Sequence, residues 1–372
     1  MPALIDAARS VAPLAAELAG QAERERRLPG PVSDALRDAG IYRMLVPSSL
    51  GGGEAEPAEM IEVLETLGRA DGAAGWCAMV SATAGMVLAR MAPEAAGEVF
   101  PTPETVLAGV FAPHGRAERR GDRLLVVNGH WSFGSNIENS DWVFAGCRIE
   151  GQGPVLLALR REQVRLIDTW RVSGLRGTGS HDFEVDGLSV PVQLAADPEA
   201  VHPSQGGALY SFPLIGTLAL GIASVALGIA TAAIDELVEV AGAKVPSGSR
   251  RRLADREVVQ AALARARGEV RAGRALMLEE ARDAWSEALA GEISLQRRAS
   301  LRLAATHAMS ASVSATGEIF SHAGGSAIYE TSALQRRLRD VHVAAQHMMV
   351  APPTYELIGR VELGLEVEGR GL

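Results

Sequence analysis

Apolar positions recur at helical spacing from Pro2 to Phe100 and again from near Tyr210 onward, whereas between Val106 and Leu194 they come in short runs. The first pattern predicts helices and the second predicts strands. In the N-terminal part the breaks fall at Leu28-Pro29-Gly30-Pro31, Val46-Pro47 and Gly51-Gly52-Gly53, with further helices from Glu59 to Gly68 and Ala73 to Met91. In the middle, Leu124–Val127 and Asp141–Cys147 read as strands flanking a turn from Gly129 to Asn136. A second pair, Pro154–Leu159 and Phe183–Val185, encloses the glycine-rich stretch Gly174–Ser180. Four such strands predict a small barrel or an open sheet.

Pro191–Gly207 reads as a linker, and four long helical patterns follow: Leu214–Ala243, Leu253–Ala290, Leu295–Ala323 and Leu334–Val350, the last stopped by Pro352-Pro353. The chain is therefore expected to be α+β and mostly α. An N-terminal helical domain covers residues 1–103, a central β domain 104–200, and a C-terminal four-helix bundle 208–372.

Leu214–Ile234 carries no charge and is long enough to cross a bilayer. Small residues recur on one of its faces (Thr217, Gly221, Ser224, Gly228, Thr231), and Asp235-Glu236 follow with no basic anchor. That favours a central helix buried in a bundle over a membrane span. Near the N-terminus, Asp6, Arg9 and Glu17 interrupt the apolar run, so it reads as a first helix and not as a signal peptide.

With 372 residues, 47% of them hydrophobic, the chain can bury a large core. A net charge of -9 argues against a nucleic-acid surface, and the basic run Arg250-Arg251-Arg252 is too short to reverse that. Its two cysteines, Cys77 and Cys147, lie in apolar surroundings without metal-ligand spacing. Reduced core thiols in a cytoplasmic protein, with no metal centre, are expected.

Three stretches, in this order of helices, β-lobe and helices, carry a resemblance. They are Gly40–Pro47 with Gly51-Gly52 behind it, Asn128-Gly129 with Phe133–Asn136, and Gly324-Gly325 followed by Leu334-Gln335-Arg336-Arg337-Leu338-Arg339-Asp340. Together they resemble the acyl-CoA dehydrogenase fold over nearly the whole chain. The commonest dehydrogenases of that fold carry, after the Arg-Asp pair, a Tyr-Glu-Gly-Thr segment whose carboxylate removes a proton from the thioester. Here that position falls on His347-Met348, and Tyr329-Glu330-Thr331 lies before the helix instead.

Gly75-Trp76, Asp168-Thr169-Trp170, Gly174–Ser180 and Gln346-His347 are similar to the flavin-dependent monooxygenases of this fold, two-component hydroxylases with indole-oxidising members. The resemblance implies reduced FAD or FMN supplied by a separate NAD(P)H:flavin reductase, oxygen, and a C4a-hydroperoxide acting on an aromatic or heteroaromatic molecule. Packed small-residue faces and an apolar bundle leave surface that a monomer would expose, so a homo-oligomer, expected as a tetramer, should form with the helix from Leu214 and the Leu334–Asp340 helix near the subunit contacts. An acyl-CoA oxidoreductase with a displaced base, and a flavin-free binding or scaffold homologue, are the other readings.

Residue by residue, Phe133, Ser135 and Asn136 offer an aromatic face with hydroxyl and amide groups that suit a flavin ring, against the plainer reading of a hairpin. Arg176, Gly177, Thr178, Gly179 and Ser180 offer backbone N–H groups for a flavin edge or phosphate, or form a structural turn. The stretch does not match the G-x-G-x-x-G fingerprint and leads into a strand, so no nicotinamide domain is implied. Gly324, Gly325 and Arg339 are expected at the cofactor through the resemblance. Arg250–Arg252 could reach a flavin pyrophosphate, with solvation favoured for most of the run.

His347 is the expected acid–base residue, with Ser135 and His181 as further catalytic candidates. At helical spacing Arg336, Asp340 and His347 fall near one stripe and Arg339, His342 and Gln346 on another, so the two histidines should face different directions. Trp76, Met79 and Met348 are candidate substrate-pocket residues, with core packing the default for Trp76 and Met79.

Overall fold

The computed structural model describes residues 3–200 and 207–367. Five helices come first: α1 (Leu4–Glu25), α2 (Gly30–Asp38), α3 (Pro57–Ala70), α4 (Gly72–Gly85) and α5 (Pro93–Val99). The strands are β1 (Leu107–Arg120), β2 (Leu124–Gly134), β3 (Trp142–Ile149), β4 (Pro154–Arg160), β5 (Arg165–Ile167), β6 (His181–Pro191) and β7 (Ala195–Ala196). Helices α6 (Ala208–Ser211), α7 (Leu214–Ala243), α8 (Glu257–Ala290), α9 (Leu295–Ala323), α10 (Ala333–Ala344) and α11 (Pro353–Glu362) complete the described chain.

The strands form one open sheet in the order β5-β6-β2-β1-β3-β4-β7, antiparallel except for the parallel pair β1 and β3. Seven strands replace the expected four. Gly129–Gly134 is not a turn but the second half of β2, paired with β6 across two register shifts. The alternation explains it: Trp131 points inward, stacks on Phe183 at 5.1 Å and donates its indole N–H to the Gly146 carbonyl at 2.7 Å. The turn begins only at Ser135. In β1 the register shifts between Val110 and Gly115, which hides the strand period from the sequence.

Helix α7 is a core helix. Its most apolar window has a mean hydropathy of 2.0 and is 89% buried within the protein. Its small face is covered from inside the chain, because a Cβ at Gly228 would collide with the Glu65 carbonyl of α3. The run Gly72–Arg90, 94% buried, passes the same length and hydropathy test.

Two helix limits differ from the sequence pattern. The last bundle helix stops at Ala344, and Pro352-Pro353 opens α11 instead of merely ending its predecessor, Pro353 standing in the first turn, where a missing N–H costs nothing. Of the expected linker, residues 201–206 lie outside the described residues. Both cysteines are buried and unbridged.

Candidate active site

The site grows from a loop that α10 grips. Between β5 and β6, Gly174 lies so close to α10 that a Cβ there would collide with the Arg339 carbonyl. Arg339 donates to the Ser173 carbonyl, to Glu23 at 2.8 Å and to Gln335 at 2.7 Å, while Asp340 Oδ1 accepts the Leu175 N–H at 2.6 Å. Burial pushes the Asp340 carboxyl up to about 7. The Leu175 N–H opposes that rise, Asp71 and Glu23 add to it, and Arg336 opposes it. Asp71 is likewise raised by burial; its Oδ2 accepts the Ala74 N–H at 3.0 Å and so caps α4. The loop and the N-terminus of α4 are thus pinned to one buried acidic pair.

Held there, the loop delivers a file of hydroxyls. Thr178 Oγ1 donates to the Leu175 carbonyl at 2.8 Å, Thr178 and Ser180 hydroxyls lie 2.6 Å apart, and Ser180 and Ser135 hydroxyls lie 2.6 Å apart. Trp76 of α4 donates its indole N–H to Ser135 Oγ at 3.1 Å. The Trp76 ring meets His347 edge-on, at 5.9 Å between centroids. Three lobes therefore meet at one point.

His347 sits half-buried in the turn after α10, its Nδ1 accepting the Met349 N–H at 3.3 Å. Burial, with the Arg302 guanidinium adding to it, pushes its pKa down to about 4, so at neutral pH the ring is uncharged. With Nδ1 used as an acceptor, the remaining proton belongs on Nε2, and His347 offers the site a neutral donor.

The backbone around this point is strained. Among the described residues, five non-glycines have positive φ, and four of them, Arg26, Phe133, Asn136 and Leu175, surround the hydroxyl file. Each such position costs about 1–2 kcal/mol, and their clustering points to a constraint other than stability. Phe133 is also 69% exposed, its ring edge-on to Trp170 at 6.2 Å. An exposed aromatic on a strained backbone, beside a buried hydroxyl, suits a flat ring ligand.

Comparison with known proteins fits this geometry. The acyl-CoA dehydrogenase N-terminal domain matches residues 4–100 and the acyl-CoA dehydrogenase C-terminal domain residues 220–352. An indole-3-acetate monooxygenase of Pseudomonas putida is 33% identical over 97% of this chain and 92% of its own. The chain belongs to the acyl-CoA dehydrogenase family, in its flavin-dependent monooxygenase branch. The FADH(2)-dependent resorcinol hydroxylase oxygenase component of Rhizobium sp. (strain MTP-10005) is 28% identical over 99% of this chain and 95% of its own. Among solved structures, XiaF from Streptomyces sp. in complex with FADH2 and glycerol superposes with a TM-score of 0.91, at 26% identity, over 98% of this chain and 95% of that one.

In this monooxygenase the structure brings together Trp76, Ser135, Thr178, Ser180 and His347, with Phe133 at the rim. The other expected site residues lie elsewhere or are otherwise engaged. Asn136 is spent on structure, donating to Ser81 at 3.0 Å and accepting from Asn139 at 3.1 Å. Gly177 and Gly179 pack against α1 and its C-terminal end, and Arg176 lies 3.7 Å from Glu23. Arg339 clamps the loop. Gly324 and Gly325 follow α9 where Lys244, beyond the end of α7, reaches the Ala323 carbonyl at 2.6 Å. Gly75 packs on Val225, so roughly 19 residues of α7, about 29 Å of helix, separate the diglycine from Trp76 within one chain.

His181 is buried, its Nδ1 facing the Trp170 N–H at 3.4 Å and Asp168 at 3.5 Å, and so supports Trp170 from beneath. Met79 packs into α7 at Gly221, and Met348 is 70% exposed. Arg250, Arg251 and Arg252 are exposed; Arg251 pairs with Glu257 and Arg252 with Asp255.

The stripe that placed His347 does not hold, because α10 ends at Ala344 and His347 reaches Trp76 from a turn. His342 is exposed whereas His347 is half-buried against Trp76, so the two histidines do face different directions. Sequence reasoning missed the role of Asp340. The signal was a carboxylate on the inward side of a helix beside Leu334 and Val341, both buried.

Proposed function

We propose that this oxygenase hydroxylates an aromatic or heteroaromatic small molecule, of the indole or phenol type, at the point where Trp76, Ser135 and His347 converge. That convergence carries the reading. It joins α4, the sheet and the segment after α10 in one place, and the stretch that by resemblance stands where the commonest dehydrogenases carry Tyr-Glu is His347-Met348, without a carboxylate.

The residues present fit a flavin. Phe133 offers an exposed aromatic face, Ser135 a hydroxyl oxygen with a lone pair to spare, and Thr178 and Ser180 a rigid backing. Reduced FAD or FMN, once bound, supplies the oxygen-transfer chemistry. The chain does the rest. Phe133 and Ser135 orient the ring, Trp76 walls the substrate side and excludes water, and His347 holds a proton at Nε2 where a substrate hydroxyl oxygen would accept it. A low pKa keeps His347 from adding a charge to that enclosed space.

A separate NAD(P)H:flavin reductase, a homotetramer and a cytoplasmic setting complete the proposal. The relatives named as oxygenase components support the reductase. Exposed apolar side chains at Ile328 and Tyr329, beside the diglycine, and at Leu363 support assembly of copies. Assembly would also let the diglycine of one copy approach the site of another.

The test is to load the protein anaerobically with reduced flavin and mix it with oxygen and a panel of indoles and phenols, with mass spectrometry as the readout. A hydroxylated product is expected. Desaturation of an acyl-CoA with transfer of electrons to a dye, and no hydroxylation, would overturn the proposal.

A further inference from the structure

The hydroxyl file has a forced direction. It holds three O···O gaps, from Ser135 to Ser180, from Ser180 to Thr178 and from Thr178 to the Leu175 carbonyl, of 2.6, 2.6 and 2.8 Å. Each gap needs one proton, because two lone pairs at that separation repel, and three hydroxyls supply three protons. A carbonyl can only accept, so the Thr178 proton goes to Leu175. The Ser180 proton then goes to Thr178, and the Ser135 proton to Ser180. No other assignment fills every gap. The upstream partner agrees with this: Trp76 Nε1–H can only donate, and it points at Ser135 Oγ.

We propose that Thr178 and Ser180 are positioning residues that lock Ser135 as a hydrogen-bond acceptor only, and that this lock makes the site select reduced over oxidised flavin. The inference rests on the reading that the flavin ring lies against Ser135. Reduced flavin carries a proton on N5 and can donate to Ser135. Oxidised flavin presents an N5 lone pair, which an acceptor-only serine repels. A free serine would turn its hydroxyl to suit either redox state; this one cannot, because its proton is held by a file anchored on the Leu175 peptide. The Leu175 backbone is itself fixed on both sides, its N–H bound to Asp340 and its carbonyl also taking the Thr178 N–H at 3.1 Å and the Trp170 indole at 3.2 Å. For an oxygenase that receives reduced cofactor and must discard the oxidised form, such a lock would act as an exchange device.

Anaerobic and aerobic titrations of FMN and FAD test it, read as the ratio of oxidised to reduced dissociation constants. Ser180→Ala and Thr178→Val should lower that ratio ~10-fold by freeing the Ser135 proton, and Thr178→Ser should keep it. The carbonyl of Leu175 keeps two other donors in Thr178→Val, so folding is expected to survive.

A second probe leaves the protein unchanged. In 5-deazaflavin a C–H replaces N5, so wild-type protein should bind oxidised 5-deazaflavin more tightly than oxidised flavin, and reduced 5-deazaflavin less tightly than reduced flavin. Unchanged ratios in the variants, or equal binding of flavin and its deaza analogue in both redox states, would overturn the lock while leaving the flavin site standing. Failure to bind any flavin would overturn the functional reading with it.

Discussion

Asp340→Asn isolates what the buried acid beneath the loop does. The Asp340 carboxyl titrates at about 7 in the fold against 3.8 unperturbed, so between those values the native state holds a proton that the unfolded chain has released. Stability therefore falls as pH rises through that window and is lowest once Asp340 is ionised above pH 7. A displacement of that size corresponds to ~4 kcal/mol at most, at 1.36 kcal/mol per pH unit. Asparagine keeps an oxygen for the Leu175 N–H and cannot ionise. The neutral amide escapes the repulsion of Asp71 and Glu23, while its buried NH2 carries a desolvation cost, so about half of the penalty should be recovered, ~2 kcal/mol at pH 8. At pH 5, where Asp340 is neutral in the fold, the variant and the wild type should agree within ~1 kcal/mol. Urea unfolding from pH 5 to 8.5 reads this directly. Parallel curves, or a variant less stable than wild type at pH 8, would show that Asp340 is not the buried, protonated group described.

Other expectations follow from the same contacts. His347→Ala should keep the fold and bind reduced flavin, yet lose product ~10²-fold or more while hydrogen peroxide rises, and His342→Ala, on an exposed position, should change neither; the reverse outcome would move the active face. Gly174→Ala should destabilise by ~2 kcal/mol or more, since its Cβ meets the Arg339 carbonyl, and a thermal midpoint equal to wild type would deny the close approach. Trp76→Phe removes the N–H given to Ser135 and keeps most of the ring, so it should cost ~1 kcal/mol in stability and raise peroxide leakage, checked by thermal melts and oxygen–product stoichiometry. Light scattering at micromolar protein should give a homo-oligomer, and a monomer would count against the assembly proposed.

Much of the fold was legible because period carries it. The long helices and their order follow from apolar spacing, and the small face of α7 foretold a close crossing, which α3 makes at Gly228. The sheet was under-read where register shifts break the alternation, at Val110 to Gly115 and at Trp131 to Gly134. Proline misled at Pro353, since the same residue that ends one helix can begin the next.

At the site, Ser135, Thr178, Ser180, Trp76 and His347 were named from the sequence, but through resemblance. What joins them is contact between residues 59 apart for Trp76 and Ser135, and 165 apart for Leu175 and Asp340, which no local pattern encodes. The intrachain partners of Asn136 and Arg339 were invisible for the same reason. A polar side chain looks the same in sequence whether its bonds go to a ligand or to its own fold.

The central claim is that oxygen is transferred to an aromatic molecule at the meeting point of Trp76, Ser135 and His347. A single turnover with reduced flavin, ¹⁸O₂ and an aromatic that the protein turns over tests it most directly. The account predicts one ¹⁸O atom in the product of the wild type, and label diverted to hydrogen peroxide in His347→Ala. Product oxygen drawn from water, or labelled product undiminished in His347→Ala, would contradict it.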